Sequence, residues 1–204
     1  MSIAQPPRQR PDQPDGHGPD RPSPWVVRFA PLIAAGGRVL DLACGGGRHL
    51  RLLVDLGFDV VGVDRDLAAA SALPRARLTL IAADLENRAP WPLADRRFDG
   101  VVVTNYLHRP LFPAILDALA PGGVLIYETF AEGNERFGRP SNPDYLLKPG
   151  ELLELARGRL RVLAYEDLTI DQPRPACVQR LCARAPYSAA GRAPVGDGGA
   201  NARS

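Results

Sequence analysis

The sequence predicts an α/β domain in which a largely parallel sheet is covered by helices. Three features carry that reading. Short apolar runs alternate with amphipathic stretches from Arg38 to Leu119, the order of strands joined by crossover helices. The glycines Gly45 to Gly47 stand between the first apolar run and the first amphipathic one, where a strand must turn sharply into a helix. Two later apolar runs lie close enough together to form an antiparallel hairpin.

A chain of 204 residues with 45% hydrophobic content builds one well-packed core and leaves no room for a second once its ends are set aside. Residues 1–22 and 186–204 read as disordered tails around a domain spanning 23–185. Gln5 to Pro22, which includes His17, is prolyl and polar, and from Ser188 onward small residues carry no periodic apolar face. Neither stretch buries enough apolar surface to offset its ordering entropy. The formal net charge is +2 and Lys148 is the only lysine, so no lysine-rich run is offered to nucleic acid or membrane. Cys44, Cys177 and Cys182 form no C-x-x-C pair, and the last two fall on opposite sides of a strand, which predicts neither a zinc site nor a disulfide framework. The first residues lack the apolar core of a signal peptide, and no apolar run approaches the roughly 20 residues that cross a bilayer. A cytoplasmic location is expected.

In chain order, Ser23 caps a helix with Pro24 at its first position, running to about Ala34. Strands read at Arg38 to Leu42, Asp59 to Val63, Arg77 to Ile81, Gly100 to Val103 and Val124 to Glu128. Helices fit at Gly47 to Leu56, Asp66 to Leu73 and Leu111 to Leu119. A long loop from Thr129 to Lys148 precedes a short helix from Pro149 to Arg157, and the late strands are Arg161 to Leu168 and Ala176 to Arg184.

The strongest local signal is V-L-D-L-A-C-G-G-G-R from Val39 to Arg48, a buried strand passing through glycines into a helix start. Residues without Cβ let a ligand lie against the main chain, and the free N–H groups of the following helix favour an anionic group. Glycines alone do not choose the ligand, because dinucleotide-binding folds carry them too. Asp41, on the strand before them, would repel a pyrophosphate but attract an ammonium, and S-adenosylmethionine carries an ammonium and a sulfonium. Asp64 ends the second strand, where a carboxylate accepts both hydroxyls of a ribose. Asp84 follows the third strand, placed to accept from an adenine amino group while the Leu85 N–H donates to the ring. Singly, each aspartate is as consistent with a helix cap or a solvated turn. Acids at the carboxyl ends of successive strands share the edge along which open α/β sheets bind ligands.

Taken in order, D-L-A-C-G-G-G-R from Asp41 to Arg48, Asp64, the pair Asp84 and Leu85, F-D-G-V-V-V-T-N from Phe98 to Asn105, and L-A-P-G-G-V-L-I from Leu119 to Ile126 resemble the motifs of class I S-adenosylmethionine-dependent methyltransferases. The resemblance covers about residues 38 to 130 and is nearest to small bacterial enzymes of the tellurite-resistance and thiopurine type. It implies a Rossmann-like, doubly wound sheet of seven strands, with one antiparallel strand supplied by the final hairpin. It also implies that Asp41, Gly45 and Gly47 hold the methionine part of S-adenosylmethionine, Asp64 the ribose, and Asp84 with Leu85 the adenine. Ala43, Cys44 and Asn105 would line the same pocket. Arg48 either faces the cofactor carboxylate or pairs with an acid on its own helix. A short-chain dehydrogenase would need Tyr-x-x-x-Lys, whereas Tyr145 and Lys148 are three apart.

T-N-Y-L-H-R-P, from Thr104 to Pro110, follows the fourth strand and should face the methyl group and its acceptor. An activated sulfonium needs positioning for in-line displacement more than covalent catalysis, and a base only where the acceptor has a proton to lose. His108 is the first candidate on its intrinsic pKa, then Glu128, then Tyr106. His108 is equally readable as a helix N-terminal residue bonded to backbone, and Tyr106 as a lining residue. Asn105 is followed by Tyr-Leu-His and not by Pro-Pro-aromatic, which counts against the adenine and glutamine N-methylating classes. The loop after Glu128 reads as a lid in which Phe130, Asn134, Arg136, Phe137, Arg139 and Asn142 close over a small acceptor, the arginines favouring an anionic one. His49 reads as structural, and Trp25 and Phe29 either cap the cofactor or anchor the first helix. The sequence thus predicts methyl transfer to a small molecule, with a nucleic-acid or protein methyltransferase and a non-catalytic S-adenosylmethionine binder as the alternatives.

Overall fold

The first helix begins where its cap demands. The Ser23 hydroxyl accepts from the Trp25 N–H at 3.1 Å, Pro24 fills the first turn, and α1 (Pro24–Phe29) passes into a 3-10 turn over Ala30–Leu32. The computed structural model describes residues 21–187 except Arg75 and Arg88. The disorder expected of the tails therefore falls almost wholly outside the described residues. Its inner edge is described, and there the domain extends past residue 185: Gly122 donates its N–H to the Pro186 carbonyl and the Tyr187 hydroxyl meets Arg184.

The strands are β1 (Arg38–Leu42), β2 (Asp59–Asp64), β3 (Leu78–Ala82), β4 (Phe98–Thr104), β5 (Leu119–Phe130), β6 (Arg161–Ile170) and β7 (Ala176–Arg184). They form one seven-stranded sheet in the order β3-β2-β1-β4-β5-β7-β6. Every pairing from β3 to β5 is parallel, and β7 runs antiparallel between β5 and β6. This is the expected Rossmann-like, doubly wound sheet with its C-terminal hairpin. The chain order reverses between β1 and β4, the place where open α/β sheets leave a crevice for ligands.

The remaining helices are α2 (Arg48–Asp55), α3 (Phe112–Asp117) and α4 (Glu151–Ala156). Trp25, Val26 and Phe29 of α1 and Leu50 and Leu53 of α2 bury one face of the sheet against Val39, Val60, Val102 and Ile126. Ile115 of α3 and Leu152 and Ala156 of α4 bury the other against Leu40, Leu42, Val101, Val103 and Leu125. The central strands are mostly apolar because both of their faces are covered.

One expected helix is missing. Across residues 66–73 only the 3-10 turn Ala70–Ala72 forms. The Asp64 carboxylate takes the N–H of Asp66 at 3.0 Å and the Asp66 carboxylate takes the N–H of Ala68 at 2.9 Å, so the acids close short turns where a helix would start. Pro74 then limits the other end. Leu73 still packs inward, over Gly47.

Candidate functional site

Asp41 sits on the α1/α2 face of β1, level with Val102 of β4, and is 1% exposed. Among the described residues neither carboxyl oxygen has a hydrogen-bond partner. Burial pushes its pKa up to about 8, with Arg48 opposing and Asp64 adding to the rise, so the group is largely neutral at pH 7. Buried polar groups are normally paired, and an unpartnered carboxyl beside a glycine turn fits a ligand that brings its own cationic donor.

The turn itself is built from left-handed residues. Ala43 (φ 57°), Gly45 (φ 51°) and Gly47 (φ 86°) reverse the chain, Cys44 donates its N–H to Val63, and Gly47 donates its N–H to Cys44. A side chain at Gly45 would enter open space, which makes this the position where a ligand can lie on the backbone. Gly47 has a different role. It opens α2, and a Cβ there would strike Leu73, so it serves packing while its N–H is already engaged. Burial, then Asp41 and Asp64, push the Cys44 thiol far up, which makes it a wall of the site and not a nucleophile.

Asp64 ends β2 with both oxygens oriented, Oδ2 accepting from the Gly45 N–H at 2.9 Å and Oδ1 from Asp66. Each oxygen keeps a second acceptor position for a hydroxyl pair. Asp84 is exposed just past β3, its Oδ1 accepting from the Glu86 N–H at 2.9 Å, and Leu85 is half-buried against the core. Asn105, exposed and left-handed at φ 52°, bends the chain off the end of β4 and donates its N–H to the Glu128 carbonyl. The predicted residues thus meet along one edge, the C-terminal ends of β1 to β4.

A row of polar side chains crosses the α1/α2 face at that edge. Register places Thr104 beside Glu128, Glu128 beside Arg180, and Arg180 beside Glu166. Glu128 is 7% exposed and its Oε2 lies 2.6 Å from Arg180 Nε, while Arg180 also reaches Glu166 at 3.2 Å. Arg48, half-buried at the start of α2, stands in the field of Glu128 and of Asp41, and burial lowers its pKa. It pairs with no acid on its own helix. His49 is buried and structural: its Nε2 accepts from the Ser23 N–H at 3.0 Å, and its Nδ1 meets Thr104 Oγ1 at 3.3 Å. Burial, then Arg48, lower its pKa to about 3. Trp25 and Phe29 anchor α1 in the core, stacked edge to face at 4.5 Å, with the Trp25 indole N–H donating to the Leu181 carbonyl.

On the acceptor side two of the expected residues have contacts within the protein. Tyr106 is 2% exposed within the core, its carbonyl accepting from the Tyr127 hydroxyl at 2.9 Å. Glu128 forms an ion pair with Arg180. His108 is half-buried at the start of the 3-10 turn Arg109–Leu111, and its side chain makes no capping bond. The loop is pinned and does not hang free as a lid. Phe130 packs with Leu146, Ala176 and Val178; Asn134 bonds Pro140 and Cys177; Arg136 bonds Thr169 and Cys177; Asn142 caps a turn at Asp144. Arg136, Phe137 and Arg139 remain exposed, and of these only Arg136 is tied down by side-chain hydrogen bonds among the described residues. Sequence reasoning missed Arg180 and Glu166, which lie on the late hairpin far from any motif, and Arg109, whose guanidinium ties Glu151, Asp144 and Leu146 together.

Residues 15–162 match the family described as methyltransferase domain. The chain belongs to that family. As a class I S-adenosylmethionine-dependent methyltransferase-domain protein, it is 35% identical over 119 residues to a ubiquinone biosynthesis O-methyltransferase of Cereibacter sphaeroides, covering 53% of this chain and 47% of the relative. It is 30% identical over 164 residues to a trans-aconitate 2-methyltransferase of Delftia acidovorans, covering 72% and 60%. The chain spans about half the length of the curated relatives it matches. Among solved structures, TehB from Haemophilus influenzae superposes with TM-score 0.63 at 19% identity over 78% of this chain and 61% of that one. The 1,6-didemethyltoxoflavin-N1-methyltransferase of Burkholderia thailandensis, which holds S-adenosylhomocysteine, does so with TM-score 0.60 at 19% identity over 80% and 77%. These structural likenesses carry the fold. The cofactor of the methyltransferase-domain family is S-adenosylmethionine, and the orphaned carboxyl of Asp41 with the open face of Gly45 fits it. No helix among the described residues is long and apolar enough to cross a membrane.

Proposed function

We propose that this protein transfers a methyl group from S-adenosylmethionine to a small-molecule acceptor by in-line displacement. The observation that carries the reading is Asp41, a buried carboxyl with no partner among the described residues, set beside a glycine turn whose backbone is open at Gly45. When bound, the cofactor supplies an already activated methyl group, so the protein's work is chiefly orientation and exclusion of water. In this reading Asp41 accepts the ammonium of the methionine end, Arg48 faces its carboxylate, and Ala43, Cys44 and the two glycines shape the turn. Asp64 accepts the ribose hydroxyls, Asp84 and Leu85 take the adenine, and Asn105 borders the pocket. His108 takes the acceptor's proton where there is one, because it is the titratable group after β4 that no capping bond engages.

The names of the relatives, enzymes of ubiquinone biosynthesis and trans-aconitate, support a small acceptor. So does the charge at this edge, where Arg109 and Arg180 are both paired with glutamates and so are not offered to a nucleic acid. The loop arginine Arg136 is bonded within the protein, which weakens the case for an anionic acceptor.

Calorimetric titration with S-adenosylmethionine and S-adenosylhomocysteine tests the cofactor half; a purified protein that binds neither sinks the proposal. Asp64→Ala should weaken binding by about 1–3 kcal/mol, since the cofactor hydroxyls lose a charged partner. A screen with labelled cofactor over small thiols, oxyanions, carboxylates and transfer RNA tests the acceptor half, and methylation of transfer RNA alone would overturn it.

A further inference from the structure

Glu128 stands at the carboxyl end of β5, close to where a base would be useful, but its surroundings argue for another task. Its carboxylate is buried with Oε2 2.6 Å from Arg180 Nε, an ion-pair approach without hydrogen-bond geometry, and Arg180 in turn reaches Glu166 at 3.2 Å and lies 5.9 Å over the Trp25 ring. A buried carboxylate ion-paired with a half-buried guanidinium already has a partner inside the protein, which favours a fixed electrostatic task over direct contact with an acceptor. Geometry links that charge to Arg48: its chain neighbour His49 meets Thr104 Oγ1 at 3.3 Å, and Thr104 lies beside Glu128 in the sheet. This arginine is half-buried, and among the described residues it makes no hydrogen bond and no ion pair, while Glu128 and Asp41 are the acids that favour its charge. A guanidinium taken partly out of water without a direct partner needs such a field behind it.

The charges are ordered across the edge. Asp41 is a carboxyl lacking a donor, and Arg48 is a donor group lacking an acceptor. Glu128, Arg180 and Glu166 follow Thr104 in a cross-strand row. A carboxyl and a guanidinium near the open turn at Gly45 match an amino-acid zwitterion, whose ammonium would ionise Asp41 as it binds.

We propose that Glu128 is a positioning residue for Arg48, holding its guanidinium ready for the cofactor's carboxylate, so that the Glu128–Arg180 pair sets affinity for the amino-acid end and takes no part in proton transfer. The proposal rests on reading this edge as the S-adenosylmethionine site.

The test compares two ligands on the full-length protein by calorimetry: S-adenosylhomocysteine, which has the amino-acid end, and 5′-methylthioadenosine, which has the nucleoside and sulfur without it. Glu128→Gln should weaken S-adenosylhomocysteine at least tenfold and leave 5′-methylthioadenosine within about twofold, as should Arg48→Ala. Glu128→Asp should restore part of the loss. Equal weakening of both ligands would mean that Glu128 only supports the fold, and unchanged S-adenosylhomocysteine binding would return Glu128 to the role of a base; either result overturns the proposal. Should Glu128→Gln fold poorly, Arg180→Lys, which keeps the charge and loses the guanidinium geometry, gives the same comparison. A wild-type protein that binds neither ligand would instead remove the cofactor-site reading on which the proposal stands.

Discussion

Asp41 and His49 are both buried ionisable groups kept neutral, and they pull the pH dependence of stability in opposite directions. The folded pKa of Asp41 is raised from 3.8 to about 8, so the native state holds a proton that the unfolded chain has lost; stability falls as pH rises from about 4 to 8. The folded pKa of His49 is lowered from 6.5 to about 3, so here the unfolded chain holds the extra proton; stability falls as pH drops from about 6.5 toward 3. Single substitutions separate the two. Asp41→Asn should melt higher than wild type at pH 8 by at least about 4 °C and match it near pH 4, read by calorimetric melting in the absence of cofactor. An unchanged melting temperature at pH 8 would show that Asp41 is ionised or solvated. The same variant should lose cofactor affinity, the usual exchange between stability and function at a binding site. In wild type, an arriving ammonium should ionise Asp41 and release about one proton per cofactor near pH 7, seen as a binding heat that depends on the buffer's ionisation enthalpy. His49→Gln cannot titrate and should flatten the acid limb, which loses at most about 1.4 kcal/mol per pH unit.

At the scale of elements, Arg109 joins three segments that sequence order keeps apart. Its Nε and Nη2 meet the Glu151 carboxylate at 2.6 and 2.9 Å, and its Nη1 and Nη2 donate to the Asp144 and Leu146 carbonyls at 2.7 and 2.8 Å. The turn that carries His108 is thereby fixed to the end of the 131–147 loop and to the first turn of α4. Arg109→Ala should cost about 2 kcal/mol and speed hydrogen exchange at Glu132 and Leu147, whose amides bond across the loop's base, without affecting β1 and β2. Uniform acceleration over the whole sheet would show that the contact is global. His49 plays the matching part on the other face, joining the cap of α1 to α2 and to Thr104 at the end of β4.

For the whole molecule, two apolar layers share one sheet, and every strand from β1 to β5 contributes to both or lies between neighbours that do. Neither layer can persist without the strands of the other, which predicts a single unfolding transition. S-adenosylhomocysteine at about 100 times its dissociation constant should raise that transition by roughly 5–10 °C, the equivalent of about 2.7 kcal/mol. Two resolved calorimetric peaks would contradict the one-domain reading.

The chemistry of turns and caps was readable in the chain because it is local. Ser23 before Pro24, the reversal through Ala43, Gly45 and Gly47, the alternation of strands with helices, and the acids at 41, 64 and 84 depend on neighbouring residues, and the structure has them where the sequence predicts. Only the tertiary structure decided which polar groups are free. The stretch 66–73 had helical periodicity but lost its start to two aspartate turns, and Tyr106 is buried in the core. Glu128 met Arg180 only because β7 inserts beside β5, a pairing across more than fifty intervening residues that no local pattern signals. Local sequence sets which conformation each segment prefers; pairing between distant strands sets burial and charge partners, and at this site those determine what each acid and arginine can do.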